Sequence, residues 1–204
     1  SSKLFGFFAE NNPDIFSMHF MESIQEKDLY REKKGLLFNA LRRIYNNYSP
    51  NTDISNLSKY LAEFTYSSKR IILVHNVEIE NSDDFYNEDT FFCLCPRSNL
   101  KIHNKLPREE FVLSNYNFVI GTDSLASNDS LCVLSELKCL MDSFPKLTID
   151  KVLRWATFNG ACAIRKEDSL GWFSIGMAPG IILLEELDLQ NLRISENTRI
   201  KRLI

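Results

Sequence analysis

Four short runs constrain the fold of this 204-residue chain more than any other feature: Ile15–Phe20, Ile71–Val77, Phe91–Cys95 and Phe118–Gly121. Each is a nearly continuous string of apolar, β-branched or aromatic residues rather than a half-buried alternation. Such runs read as strands buried on both faces, as in a parallel sheet. Helical patterns fill the intervals. Ile24–Lys34 runs to Gly35, a C-cap by its type, and Leu36–Tyr45 follows with apolar residues three and four apart. Ile54–Phe64 sets Ile54, Leu57, Leu61 and Phe64 on one face, with Asp53 or Ser55 available as N-cap. Arg108–Asn115 follows Pro107, and Ser130–Met141 and Ile149–Phe158 repeat the helical spacing. Strand, helix, strand, three times over, predicts right-handed βαβ units and an α/β fold.

From about Leu170 the pattern changes. Trp172, Phe173, Gly176, Pro179-Gly180 and Ile181–Leu184 read as short strands with turns, and the final residues as β or extended chain. Two units are therefore expected, residues 1–170 and residues 171–204. With 44% hydrophobic and 25% charged residues, and only 7 Gly and 6 Pro, the chain is neither collagen-like nor low-complexity nor disordered. A net charge of −3 leaves no electrostatic footprint for nucleic acid or an anionic membrane, so neither is expected as a partner. The longest apolar runs, such as Ile71–Val74 and Gly180–Leu184, are too short to span a bilayer. The chain opens Ser-Ser-Lys-Leu, with no basic segment leading into an apolar one, and its five cysteines are an odd number without a framework spacing. A reducing cytoplasm is the expected compartment, with Cys132, Cys139 and Cys162 acting as small buried hydrophobes.

The polar residues fall at informative places. His19 ends the first run, with Glu22 three residues on; His75 ends the second; Pro96-Arg97-Ser98-Asn99 follows the third; Asp123 follows the fourth. Carboxyl ends of strands are where open α/β sheets and (β/α)₈ barrels keep their active sites. Two imidazoles and a carboxylate are also ligands that zinc and similar divalent metals accept. Each residue has a plainer reading. His75 alone reads as a core histidine, Asp123 as a turn or cap residue, and Cys93-x-Cys95 as core packing on one strand face. His103, between Lys101 and Lys105, reads as a solvated loop residue. An unrelated layered domain such as a flavodoxin-like sheet predicts no relation among His19, His75 and Asp123.

Taken together, five stretches resemble the amidohydrolase superfamily, in its cytosine-deaminase-like, chlorohydrolase-like and adenosine-type deaminase branch. They are Ser17-Met18-His19-Phe20-Met21-Glu22-Ser23, Leu73-Val74-His75-Asn76-Val77, Cys95-Pro96-Arg97-Ser98-Asn99-Leu100, Gly121-Thr122-Asp123-Ser124-Leu125-Ala126-Ser127-Asn128, and Trp155-Ala156-Thr157-Phe158-Asn159-Gly160-Ala161. The resemblance implies a (β/α)₈ barrel with one bound metal and an accessory β-sandwich, of which residues 171–204 look like the C-terminal contribution. It implies that His19 is a metal ligand ending strand five and Glu22 a proton-shuttling acid. His75 would be the strand-six histidine that orients the nucleophile or substrate. Asp123 would be the strand-eight carboxylate that binds metal and takes a proton from water. Arg97 and Asn99 are candidate substrate-orienting groups, with the alternative that Arg97 ties the seventh strand end to neighbouring loops. The implied cofactor is a divalent metal, zinc first, with iron or manganese as alternatives.

The departure from that pattern shapes the expectation. The family opens its barrel with a His-x-His pair, whereas this chain has three histidines, none two apart, and no runs for strands one to four. A whole barrel takes about 250 residues. The expected protein is therefore the C-terminal half of a barrel, strands five to eight with their helices. Its parent would hydrolyse a C–N bond of a small nucleobase- or nucleoside-like substrate with metal-activated water. The chain alone would be inactive, with little or no metal bound. Its partners would be the missing N-terminal half or a second half-barrel. The alternative is a non-catalytic half-barrel retained as an interaction or scaffold module.

Overall fold

Parallel pairing joins the four apolar runs into one sheet. In the computed structural model, which describes residues 10–11, 14–45, 70–80 and 87–204, β1 (Ile15–Phe20), β2 (Arg70–His75), β3 (Thr90–Leu94) and β4 (Asn117–Ile120) lie side by side in chain order. The helix expected over Ile54–Phe64 lies outside the described residues. The order β1-β2-β3-β4 runs without the reversal that characterises a flavodoxin-like sheet.

The sheet has two unlike faces. Phe16, Met18, Phe20, Ile71, Leu73, Phe92, Leu94 and Phe118 point to the face covered by helices. There they pack against Phe111, Val112, Leu137, Leu140, Met141, Val152 and Trp155. These come from α4 (Glu109–Val112), α5 (Val133–Ser143) and α6 (Ile149–Ala156). The opposite face carries a smaller cluster of Ile72, Val74, Phe91, Cys93, Cys95 and Val119, joined by Cys162 and Ala163 of α7 (Phe158–Ala163). This period of two is what a pleated strand imposes. Cys93 and Cys95 are core thiols, as their alternation predicts. β1 is not buried on both faces as expected. Among the described residues it is an edge strand, and its Ser17 and His19 side is exposed.

Other expectations need correction. β2 stops at His75 rather than Val77, because His75 (φ 79°) and Asn76 (φ 59°) leave extended geometry. The Asn76 amide then donates to the carbonyls of Leu73 (2.8 Å) and Cys93 (3.3 Å). The expected helix over Ile24–Lys34 is α1 (Ile24–Lys27) running into a π-turn, Asp28–Glu32, closed by left-handed Lys33. Gly35 is the first residue of α2 (Gly35–Ile44), not a cap, and its φ of 93° explains why glycine stands there. The helix read over Ile149–Phe158 is broken at Thr157 (φ −121°, ψ −87°), where α7 begins. Beyond residue 170 the strands are β5 (Ile182–Glu185) and β6 (Arg199–Arg202), an antiparallel pair; Trp172 lies in a bend and Phe173 in irregular chain. Arg193 ties this segment to the main body by donating to the Met141 and Pro145 carbonyls, and Ile194 enters the core. Among the described residues, no helix is long and apolar enough to cross a membrane.

Gly121, just past β4, continues the ladder through its N–H to the Leu94 carbonyl at 3.0 Å. A Cβ there would sit 2.7 Å from Cys93 Sγ and 3.0 Å from Cys95 Sγ. Gly121→Ala should therefore destabilise the chain by about 1–3 kcal/mol in urea unfolding. Adding Cys93→Ala should recover most of that loss; an unchanged midpoint in Gly121→Ala would contradict this packing.

Candidate active site

The strand register brings the polar ends level: Phe20 pairs with His75, Val74 with Cys93, and Leu94 with Ile120. After β1 the chain turns at Met21 (φ 49°), and Ser23 caps α1, its Oγ accepting from the Glu26 N–H at 3.3 Å. The Glu26 carboxylate reaches back to accept from the Glu22 N–H at 2.8 Å. This Ser-x-x-Glu arrangement closes the helix start reciprocally and fixes the backbone of Glu22. Burial raises the Glu26 pKa, opposed by the backbone N–H groups of Glu22 and Met21.

By strand alternation, His75 belongs with Ile71 and Leu73 on the helix-covered face. The positive φ at His75 breaks the alternation, and its imidazole meets that of His19 edge to face, ring centroids 4.6 Å apart. His75 is fully buried, and its Nδ1–H donates to Asn99 Oδ1 at 2.8 Å. That bond assigns the proton to Nδ1 and leaves the Nε2 lone pair buried without a hydrogen-bond partner. Burial lowers the His75 pKa, against the upward pull of Asn99 and the nearby carboxylates, so the ring is neutral at physiological pH.

Asp123 also has left-handed backbone, φ 56°. Such non-glycine strain, about 1–3 kcal/mol per residue, persists where surrounding structure over-determines it. Ser98 Oγ (2.7 Å) and Ser127 Oγ both donate to Asp123 Oδ2. Burial pushes the carboxyl pKa up, but these hydroxyls, the Ser124 N–H and His75 outweigh it and leave it below the usual value. Asp123 is thus an ionised acceptor beside a neutral imidazole.

One ligand atom from each of His19, His75 and Asp123 lies within 4.8 Å of the others. Two imidazole nitrogens and a carboxylate oxygen suit zinc and related divalent ions, and the unpartnered His75 Nε2 is the lone pair such an ion would take. Glu22 borders the cluster, with Oε2 3.4 Å from His19 Nδ1 and Oε1 3.8 Å from His75 Nε2. Sequence reasoning thus picked four residues that the fold brings together.

The remaining two are engaged with protein groups. Asn99, 1% exposed, holds His75. Arg97 donates to Ser130 Oγ at 2.9 Å, while its backbone N–H donates to Glu136 Oε2 at 3.0 Å. Glu136 is fully buried and also accepts from Asn128 Nδ2 at 2.7 Å, an amide that reaches the Thr122 carbonyl as well. Burial raises the Glu136 pKa, opposed by the Arg97 N–H, Asn128 and the Arg97 charge. Glu136 therefore fastens the loop after β4 to the helix after β3. Ser98, Ser127, Asn128 and Glu136 went unread as site residues, although the first three stand inside the motifs that placed Asn99 and Asp123. His103 is not a loop residue. It closes α3 (Pro96–His103), one-quarter exposed, with Nε2 3.4 Å from Glu22 Oε1. Pro96 at the first helical position was the signal for that helix.

Two predictions follow from these contacts. Glu136→Ala strands two buried donors and should cost about 2–4 kcal/mol in chemical denaturation. Because burial holds the His75 pKa below that of an unfolded imidazole, the unfolded chain binds more protons as pH falls below about 6.5. Metal-free protein should then lose stability between pH 7 and pH 5.5, and His75→Gln should remove part of that slope. Equal slopes in the two proteins would show that His75 titrates normally.

The chain matches the amidohydrolase family over residues 49–202. It is 35% identical over 106 residues to a 5-methylthioadenosine/S-adenosylhomocysteine deaminase of Teredinibacter turnerae, covering 47% of this chain and 24% of that protein. It is 26% identical over 166 residues to an adenosine deaminase of Helicobacter pylori, covering 76% of this chain and 40% of the relative. Among solved structures it resembles Helicobacter pylori aminofutalosine deaminase in complex with methylthio-coformycin, with a TM-score of 0.65, 22% identity, and coverage of 79% of this chain and 41% of that one. A zinc-bound adenosine deaminase from Xanthomonas campestris gives a TM-score of 0.63 and 21% identity over 94% of this chain and 42% of that one. The chain spans less than half the length of these relatives. Matched over most of its length, with a parallel sheet like theirs, this chain belongs to the amidohydrolase family.

Proposed function

We propose that this chain is the C-terminal part of a metal-dependent deaminase, the half of a (β/α)₈ barrel that holds strands five to eight. The substrate class is a nucleobase- or nucleoside-like amine, as the names of the relatives indicate. The observation that carries the reading is the convergence of His19, His75 and Asp123 within 4.8 Å, bordered by Glu22. A module kept only for interaction has no use for such a cluster, nor for two serines bonded to one carboxylate oxygen.

His19 and Asp123 would hold the metal, with His75 Nε2 as a third donor. A divalent ion there supplies Lewis acidity and lowers the pKa of water, from 15.7 to about 7 in the best zinc case. Asp123, kept ionised by Ser98 and Ser127, accepts the proton of the attacking water. Attack on the sp² carbon gives a tetrahedral adduct as Glu22 delivers a proton to the adjacent ring nitrogen. On collapse the proton held by Asp123 passes to the amine, which departs as ammonia, and the hydroxyl proton returns to Glu22 as the carbonyl forms. The tautomer of His75 defines its part. With Nδ1–H committed to Asn99, Nε2 accepts a hydrogen bond or a metal and does not donate to a developing oxyanion. Asn99 thus positions His75 rather than contacting substrate.

Among the described residues β1 pairs only with β2, so strands supplied by the missing half would dock along its other edge and cover the Ser17 and His19 side. That half would also bring the His-x-His ligands. The test is zinc titration of the purified chain with an ammonia assay on adenosine and 5′-methylthioadenosine. We expect weak zinc binding, about tenfold weaker again in His19→Ala or Asp123→Asn, and no turnover. Stoichiometric zinc that survives dialysis, together with ammonia release, would show that no further strands are needed. Zinc affinity indifferent to both substitutions would place the metal elsewhere.

A further inference from the structure

All three histidines of the chain surround one carboxylate: His19, His75 and His103 each place a ring nitrogen within 3.8 Å of Glu22. Their capacities differ. His75 carries its proton on Nδ1, so the nitrogen facing Glu22 has none to give. His19 Nδ1 faces Oε2. For Oε1, His103 Nε2 at 3.4 Å is the donor within hydrogen-bond range among the described residues.

The location of His103 matters as much as the contact. It lies on α3, whose first turn carries Ser98 and Asn99. Ser98 bonds Asp123, Asn99 bonds His75, and His103, one turn beyond Asn99 on the same helix face, bonds Glu22. One eight-residue helix therefore touches all three groups assigned to proton handling and orientation. Its far end is fixed by left-handed Asn104, whose N–H returns to the Leu100 carbonyl at 2.9 Å, and by Lys105, whose ammonium meets buried Glu78 at 2.6 Å.

We propose that His103 is a positioning residue for Glu22: its Nε2–H holds Oε1 and so keeps the carboxyl group turned toward His75 and His19 rather than toward solvent. The proposal rests on the reading of Glu22 as the proton-carrying acid, but the geometry it asserts can be tested without turnover. The experiment is NMR on the 204-residue chain with ¹⁵N-labelled histidine and ¹³C-labelled glutamate, free of metal. In the wild type, His103 should occupy the Nε2–H tautomer, and an NOE should join the Glu22 γ-protons to the His75 ring. In Glu22→Gln the His103 Nε2 resonance should move. In His103→Ala the Glu22–His75 NOE should fall by more than about half, with the backbone amide spectrum otherwise retained. His103→Gln, which restores an N–H donor, should bring it back.

An His103 resonance indifferent to Glu22→Gln would overturn the proposal. So would an NOE of equal strength in His103→Ala, or one lost equally in both His103 variants. Should His103→Ala fail to fold, Glu22→Gln and His103→Gln still decide. Since none of these readings involves zinc or ammonia, a failure of the deaminase reading leaves this result distinguishable from it.

Discussion

The parallel register of β1 to β4 is the constraint from which the site follows. Pairing Phe20 with His75, Val74 with Cys93 and Leu94 with Ile120 makes the strands end along one line, so the residues just beyond them share one rim. A one-residue slip in any pair would exchange the two faces of a strand. On β1 it would send His19 toward the helices and Met18 to the exposed side. The large aromatic and aliphatic residues of the helix-covered face, Phe20, Leu73, Phe92, Leu94 and Phe118, oppose any such slip because each would leave the core. Hydrophobic packing on one side of the sheet thus sets the positions of polar groups at its end.

On that rim the electrostatics are sorted by burial and hydrogen bonding. His75 is kept neutral because it is desolvated, and Asn99 selects which nitrogen holds the proton. Asp123 is kept ionised because hydroxyls and a backbone N–H outweigh its own burial. Two groups that titrate near and below neutrality are thereby held in different forms side by side, which proton transfer requires. The supporting layer is polar as well. Glu136 links the helix after β3 to the loop after β4, and its own burial makes it an acceptor that cannot lose its donors cheaply.

The sequence was legible where one-dimensional signals coincide with tertiary ones. β1 has the bounds that the run Ile15–Phe20 marks, and His19, Glu22, His75 and Asp123 stood out because each stands near or just past the end of an apolar run. The misreadings have physical causes. The chain around His75 and Asn76 is apolar enough to read as strand to Val77, yet the left-handed turn there depends on an Asn76 side chain bonded to a carbonyl of its own strand and to one of β3. The π-turn at Asp28–Glu32 and the break at Thr157 keep a helical periodicity and leave no trace in composition. His103 was assigned to solvent because two lysines flank it, whereas the four-residue step from Asn99 along α3 carries it to Glu22. The roles of Ser98, Ser127 and Glu136 require knowing which loops meet, and that is a property of the folded sheet.

The central claim is that an N/O donor set from His19, His75 and Asp123 gathers at the strand ends. Zinc K-edge X-ray absorption on the zinc-loaded chain tests it most directly. The account predicts only nitrogen and oxygen neighbours at about 2.0–2.1 Å, with outer-shell scattering from two imidazoles. Sulfur at about 2.3 Å, which would put the ion on Cys93 and Cys95 of the same sheet face, would contradict it.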